Sequence, residues 1–142
     1  MSVLVDTSVW SLALRRRSAD LAPEERSIVS EWSDLVRDGR IRVVGPIRQE
    51  VLSGLRDQAQ FAALERRLSA FPDAMIEAAD YIQAARFFNL CRRRGVTGGP
   101  VDLLLCAVAH RFGWSIFARD TDFDRYSELL PVRLHRTART SL

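Results

Sequence analysis

Residues 2–10 read SVLVDTSVW. Val3, Leu4 and Val5 form a short apolar run without polar alternation, the pattern of a strand buried on both faces of a parallel sheet. Asp6 follows at once, with Thr7 and Ser8 behind it. A carboxylate at the end of a buried strand is costly unless something pairs with it. Its partner has to be sought in what the rest of the chain brings to that strand end.

Four further segments read as strands: IRVVG at 41–45, AMI at 74–76, WSIFA at 114–118 and VRL at 132–134. Helical patterns separate them. The first covers 7–14. The second starts at Pro23, carries Ile28, Val29, Trp32, Leu35 and Val36 at helical spacing, and stops at Gly39. A third opens at Pro46 (PIRQEVLSGL), and a fourth spans 57–71 with Phe61, Leu64, Leu68 and Phe71 on one face. The fifth, 77–94, is expected to bury Ile82, Ala85, Phe88 and Leu90. The sixth, PVDLLLCAVAHRFG from Pro100, is apolar nearly all round and belongs at the centre. A short seventh runs to about Leu130. Strands alternating with helices predict a three-layer α/β fold, a small mainly parallel sheet flanked by helices. One domain is expected over 1–134, followed by a polar tail, HRTARTSL at 135–142, that should fray.

The 142 residues, 47% hydrophobic and 27% charged, suit one soluble domain with a real core. No apolar run approaches the roughly 18 residues of a membrane span, and no basic segment precedes the first apolar stretch. A cytoplasmic location without membrane attachment is therefore expected. Cys91 and Cys106 form no metal-ligand spacing and read as reduced core thiols. The formal net charge is +3, and all 21 cationic residues are arginine. Genomic base composition is the simplest source of that bias, and a modest basic excess fits an anionic partner such as nucleic acid.

In a sheet of this kind, ligands bind outside the carboxyl ends of the strands. Asp6 directly follows the first strand. Asp120 and Asp122 follow the strand at 114–118, Glu50 lies near the start of the helix after IRVVG, and Asp102 lies in the first turn of the sixth helix. Four of them have an ordinary explanation taken singly: Asp102 as a charge at a helix N-terminus, Asp120 and Asp122 as turn or cap residues, Glu50 as a solvated side chain. Asp6, which interrupts an apolar strand-to-helix junction, is the hardest to dismiss. Together they place five carboxylates at one sheet edge. Crowded carboxylates raise each other's pKa values, and a divalent cation relieves the repulsion. Mg²⁺ and Mn²⁺ take hard oxygen ligands. One or two such ions, a pair sitting about 4 Å apart, can activate water and stabilise the leaving oxygen in phosphodiester hydrolysis. Thr7 and Ser8 supply hydroxyls to hold Asp6 or an ordered water.

Other chemistries fail on composition. A P-loop needs a glycine pattern and a lysine, and the chain has neither. A receiver-type phosphoacceptor site needs an acidic pair after strand one and a late lysine, and a haloacid-dehalogenase-like phosphatase needs a second acid where Ser8 stands. His110 lies about 12 Å along the helix from Asp102, too far to share a metal, and His135 has no evident partner.

VDTSVW at 5–10, Glu50 in RQEVLSGL, VDLLLCAVA at 101–109 and ARDTDF at 118–123 resemble the four motif regions of PIN-domain nucleases, most closely the VapC-type ribonuclease toxins of type II toxin–antitoxin pairs. The resemblance covers essentially the whole chain. It implies a Mg²⁺- or Mn²⁺-dependent endoribonuclease in which Asp6, Glu50, Asp102 and Asp120 form the acidic tetrad and Asp122 is a fifth carboxylate. Asp6 and Asp102 are the first choices for direct metal contact, with Asp120 and Asp122 sharing the remaining ligand role. It also implies a homodimer and a VapB-type antitoxin that occupies the groove beside the acids. The segment TGGPV before Asp102 is richer in glycine than the family pattern, and reads as an ordinary turn.

An RNA substrate calls for cations around the acidic centre. Arg15, Arg16 and Arg17 are the first candidates, with Arg92 to Arg94 and Arg133, Arg136 and Arg139 behind them. Trp10 and Leu14, one turn apart on the first helix, would offer an apolar patch to the antitoxin if that face is not core. The alternatives are a catalytically inactive PIN fold that binds RNA or protein, and a DNA-directed nuclease.

Overall fold

The structure, a computed structural model, describes residues 1–137. β1 (Val3–Val5), β2 (Ile41–Arg42), β3 (Ser115–Phe117) and β4 (Arg133–Leu134) form a parallel sheet in the order β2-β1-β3-β4. Pairing β1 on both edges, with Leu4 opposite Arg42 and Ile116, satisfies its backbone and leaves Val3, Leu4 and Val5 fully buried. Helices α1 (Thr7–Arg15), α2 (Pro23–Arg37), α3 (Gly45–Leu52), α4 (Gln58–Leu68), α5 (Ala78–Arg93), α6 (Pro100–Phe112) and α7 (Asp122–Leu129) surround the sheet. The chain moves from β1 to β2 in one direction and then crosses to β3 on the other side of β1. A crevice is expected where the strand order reverses, at the carboxyl ends of β1 and β3.

Five strands were expected and four are found among the described residues. The segment 74–76 leaves the sheet after a single bridge, Val43 to Asp73. The Ala74 amide donates to the Val43 carbonyl, and the Met75 carbonyl accepts from Arg111 Nη2. β2 is shorter than IRVVG, because Gly45 and Pro46 already open α3. Phe61, expected on the buried face of α4, is 37% exposed, while Leu64 and Leu68 are buried.

Helix α5 buries a different stripe from the expected one. Its inward positions are Asp80, Ala84, Phe87 and Cys91, while Ile82 is 54% exposed. The sequence is ambiguous because apolar residues lie on both faces, and the true stripe starts with a carboxylate. Asp80 is tolerated inside because Arg111 of α6 meets it with two hydrogen bonds, Nε at 2.7 Å and Nη2 at 2.8 Å. The same guanidinium reaches the Met75 carbonyl and lies against the Phe112 ring. Helix α6 is the central helix, as expected, with Leu103 through Ala109 all buried.

Trp10 is fully buried, so it offers no surface to an antitoxin. Its Nε1 donates to the Val5 carbonyl at 3.1 Å and its ring meets Trp32 and Phe71 edge-on. Leu14 is half-buried and lines an open cleft of about 490 Å³ with Arg15, Leu55, Gln60 and Arg67. The tail does not fray from residue 135: His135 bonds Glu31 at 2.8 Å, its amide donates to Ile116, and Thr137 is buried. Arg139 and the last residues of the tail, 138–142, lie outside the described residues. Among the described residues no helix is long and apolar enough to cross a membrane.

The Asp80–Arg111 contact is testable through acid. Arg111 holds the Asp80 carboxyl below its usual pKa, so the contact stabilises the fold above the ordinary carboxylate range and loses that effect as the pH falls through the lowered pKa. Arg111→Met should lower the urea midpoint clearly at pH 7, and the gap to wild type should narrow steadily below about pH 4.

Candidate metal centre

Each acid reaches the crevice by its own local device. Asp6 leaves β1 with its amide bonded to the Phe117 carbonyl at 2.8 Å and caps α1. Its Oδ2 accepts from the Ser8 amide at 3.1 Å and the Ser8 hydroxyl at 2.7 Å. Asp6 is only 7% exposed, and its Oδ1 accepts no hydrogen bond among the described residues. Asp102 sits in the first turn of α6, where Tyr126 of α7 donates its hydroxyl to Oδ2 at 3.1 Å. Asp120 folds back on itself, its Oδ1 accepting the Asp122 amide at 2.9 Å, and this turn starts α7 with Asp122 as first residue.

Asp102, Asp120 and Asp122 each offer a carboxylate oxygen, and the three atoms lie within 4.8 Å of one another. Asp6 stands outside that trio but close by. Burial, then the charge of Asp6, and then those of Asp120 and Asp122 push the Asp102 carboxyl up to about 6, against the opposing Tyr126 hydrogen bond. Hard oxygen donors crowded until one resists ionisation are the donor set a divalent cation neutralises. The residues present therefore fit such an ion.

Glu50 is placed differently from the other acids. It lies in the second turn of α3, exposed, and accepts the Thr7 hydroxyl at 2.9 Å. Thr7 thus serves Glu50 and Ser8 serves Asp6, which divides the role expected of both hydroxyls. Of the three tandem arginines, Arg16 is engaged by Glu25, while Arg15 and Arg17 are exposed without an ion pair among the described residues.

The glycines of TGGP have a packing cause. A Cβ on Gly98 would stand 2.9 Å from the buried Leu103 side chain, and one on Gly99 would stand 3.5 Å from Asp102 Oδ2. Close approach of this turn to α6 is what sets Asp102 at the crevice. One participant escaped the sequence, Tyr126. Tyr126 carried a faint signal, lying four residues after Asp122 and three after Phe123, on the inward face of an amphipathic helix.

A PIN domain family model matches residues 3–129. The chain belongs to the PIN-domain family. It is 36% identical over 124 residues to Ribonuclease VapC11 of Mycobacterium tuberculosis, spanning 86% of this chain and 89% of the relative. The VapC ribonuclease Mb1587 of Mycobacterium bovis matches to the same extent. Among solved structures, VapBC2 from Rickettsia felis bound to a DNA fragment from their promoter superposes with a TM-score of 0.71 at 15% identity, covering 95% of this chain and 98% of that one. That likeness shows the fold, and the PIN membership agrees with the resemblance carried by the four acidic segments.

Two outcomes follow from this geometry. Folding raises the Asp102 pKa from 3.8 to about 6, so its favourable contribution to the metal-free fold is full below 3.8 and lost as the pH rises through about 6. In EDTA at pH 7, Asp102→Asn should melt above wild type, and the two should converge toward pH 4. Gly98→Ala should cost about 1–3 kcal/mol by urea denaturation, since Leu103 is packed too tightly to yield.

Proposed function

We propose that this PIN-domain protein is a Mg²⁺- or Mn²⁺-dependent endoribonuclease and the toxin of a VapBC-type pair, acting in the cytoplasm and neutralised by a VapB-type antitoxin. The observation that carries the reading is the meeting of Asp102, Asp120 and Asp122 within 4.8 Å at the crevice, with Asp6 beside them. The identity to named VapC ribonucleases supports RNA as the substrate class. We further infer that the chain acts as a homodimer, as the family resemblance implies.

Asp102, Asp120 and Asp122 would hold the cation, with the free Oδ1 of Asp6 as a further donor. When bound, a divalent ion supplies charge to the phosphodiester and lowers the pKa of water. The protein's part is positioning. Ser8, Tyr126 and the Asp122 amide each fix one oxygen of an acid. Glu50, held by Thr7, is exposed and available to take a proton from the attacking water. Arg15 and Arg17, exposed and without an ion pair among the described residues, are the cations of the basic run for phosphates of the RNA chain.

Purified protein freed of antitoxin should cleave RNA in Mg²⁺ or Mn²⁺ and stop in EDTA. Asp6→Asn and Asp102→Asn should each lower kcat at least ~100-fold with the circular dichroism spectrum unchanged. Equal cleavage by wild type and both variants, or none by folded wild type in either metal, would remove the nuclease reading in favour of a binding module. Faster cleavage of DNA than RNA would reassign the substrate.

A further inference from the structure

Glu25 is an acid on α2, outside the crevice, yet it is only 7% exposed. Its Oε1 accepts the Ala22 amide at 2.8 Å and closes the first turn of α2. Helix capping needs no more than that one oxygen. The second, Oε2, takes two guanidiniums from two separate segments: Arg16 Nη1 at 3.1 Å, from the end of α1, and Arg119 Nη2 at 2.9 Å, from the segment between β3 and α7. The Ala22 amide, then Arg119 and Arg16, hold the Glu25 carboxyl below its usual range against the opposing effect of burial.

Arg119 directly precedes Asp120. Its backbone amide donates to Ser8 Oγ at 3.0 Å, and Ser8 Oγ donates to Asp6 Oδ2 at 2.7 Å. One residue therefore touches both halves of the crevice, the β1 side through Ser8 and the β3 side through the peptide chain. Fixing its side chain to α2 fixes both. A hydroxyl has a single proton, so the Arg119 amide, by occupying the Ser8 oxygen as acceptor, leaves that proton to Asp6.

We propose that Glu25 is a positioning residue for the acidic site, acting through Arg119 to hold the segment carrying Asp120 and Asp122 and to orient Ser8 on Asp6. The proposal rests on the nuclease reading, but it concerns the metal-binding geometry and needs no RNA to test. Groups that hydrogen-bond a metal's ligands directly, as Ser8 does Asp6, commonly change metal affinity by 10–100-fold when lost, and Glu25, acting further out through Arg119, is expected at the low end of that range.

The test uses Glu25→Gln, Arg119→Gln and the double variant. Glutamine keeps an oxygen for the Ala22 amide, so α2 should start where it does in wild type. Amide exchange followed by NMR should show Arg119 losing protection about tenfold, with α2 and β3 unchanged. Isothermal titration with Mn²⁺ alone should show affinity weakened about tenfold in each single variant, and no further in the double, since both substitutions break one link. Unchanged Mn²⁺ affinity in folded Glu25→Gln overturns the proposal. So does exchange accelerated equally throughout α2 and β3, which would mark a merely structural role. If wild type binds neither Mn²⁺ nor Mg²⁺, the nuclease reading fails separately and the Arg119 amide decides: local loss of protection sustains Glu25 as the anchor, and none overturns it.

Discussion

Like charge concentrated at one sheet edge is the constraint around which this molecule is arranged. Asp6, Asp102 and the Asp120–Asp122 pair come from three separate turns of chain, and burial together with their mutual repulsion shifts the Asp102 carboxyl upward. A fold that tolerates this must resist relaxation of the side chains away from each other. It does so with a repeated device: one oxygen of an acid is tied to a donor close at hand, whether the Ser8 hydroxyl, the Tyr126 hydroxyl or the Asp122 amide. Such ties are directional, so they fix the carboxylates without neutralising them.

The arrangement of strands explains why the repulsion falls where it does. With order β2-β1-β3-β4, the segments after β1 and β3 leave the sheet side by side. α6 enters β3 from the opposite side of the sheet's length, so its N-terminal turn, with Asp102, starts at the same edge. Burial of α6 throughout its middle makes that position rigid, and Gly98 lets the preceding turn close down on it. Core packing and site geometry are therefore the same contacts viewed from two ends.

Most of this was legible in the sequence where the signal is local and periodic. The strand at Val3–Val5, the central helix after Pro100 and the acids following both could be placed because apolar runs and prolines mark them. The errors share a physical origin. A buried polar residue breaks the pattern that periodicity detects, so Asp80 hid the inward stripe of α5. Trp10 sat on an amphipathic helix whose inward face only the tertiary partners, Trp32 and Phe71, could identify. The segment 74–76 stops at the single bridge between Val43 and Asp73, beyond which its neighbour turns into α3 at Gly45.

Arginine's shape gives the absence of lysine a structural meaning. Arg48 binds Asp73 together with the Leu68 and Phe71 carbonyls, and Arg111 binds Asp80 together with the Met75 carbonyl. Each is a flat, multi-pronged rivet joining segments distant in sequence, in a protein whose cysteines are both free. A lysine has one nitrogen, freely turning, and would satisfy such a set only in part. Whatever genomic pressure filled the chain with arginine, the fold has come to use the planar fork as its cross-link, and at these two positions the preference is no longer reversible at the level of charge alone.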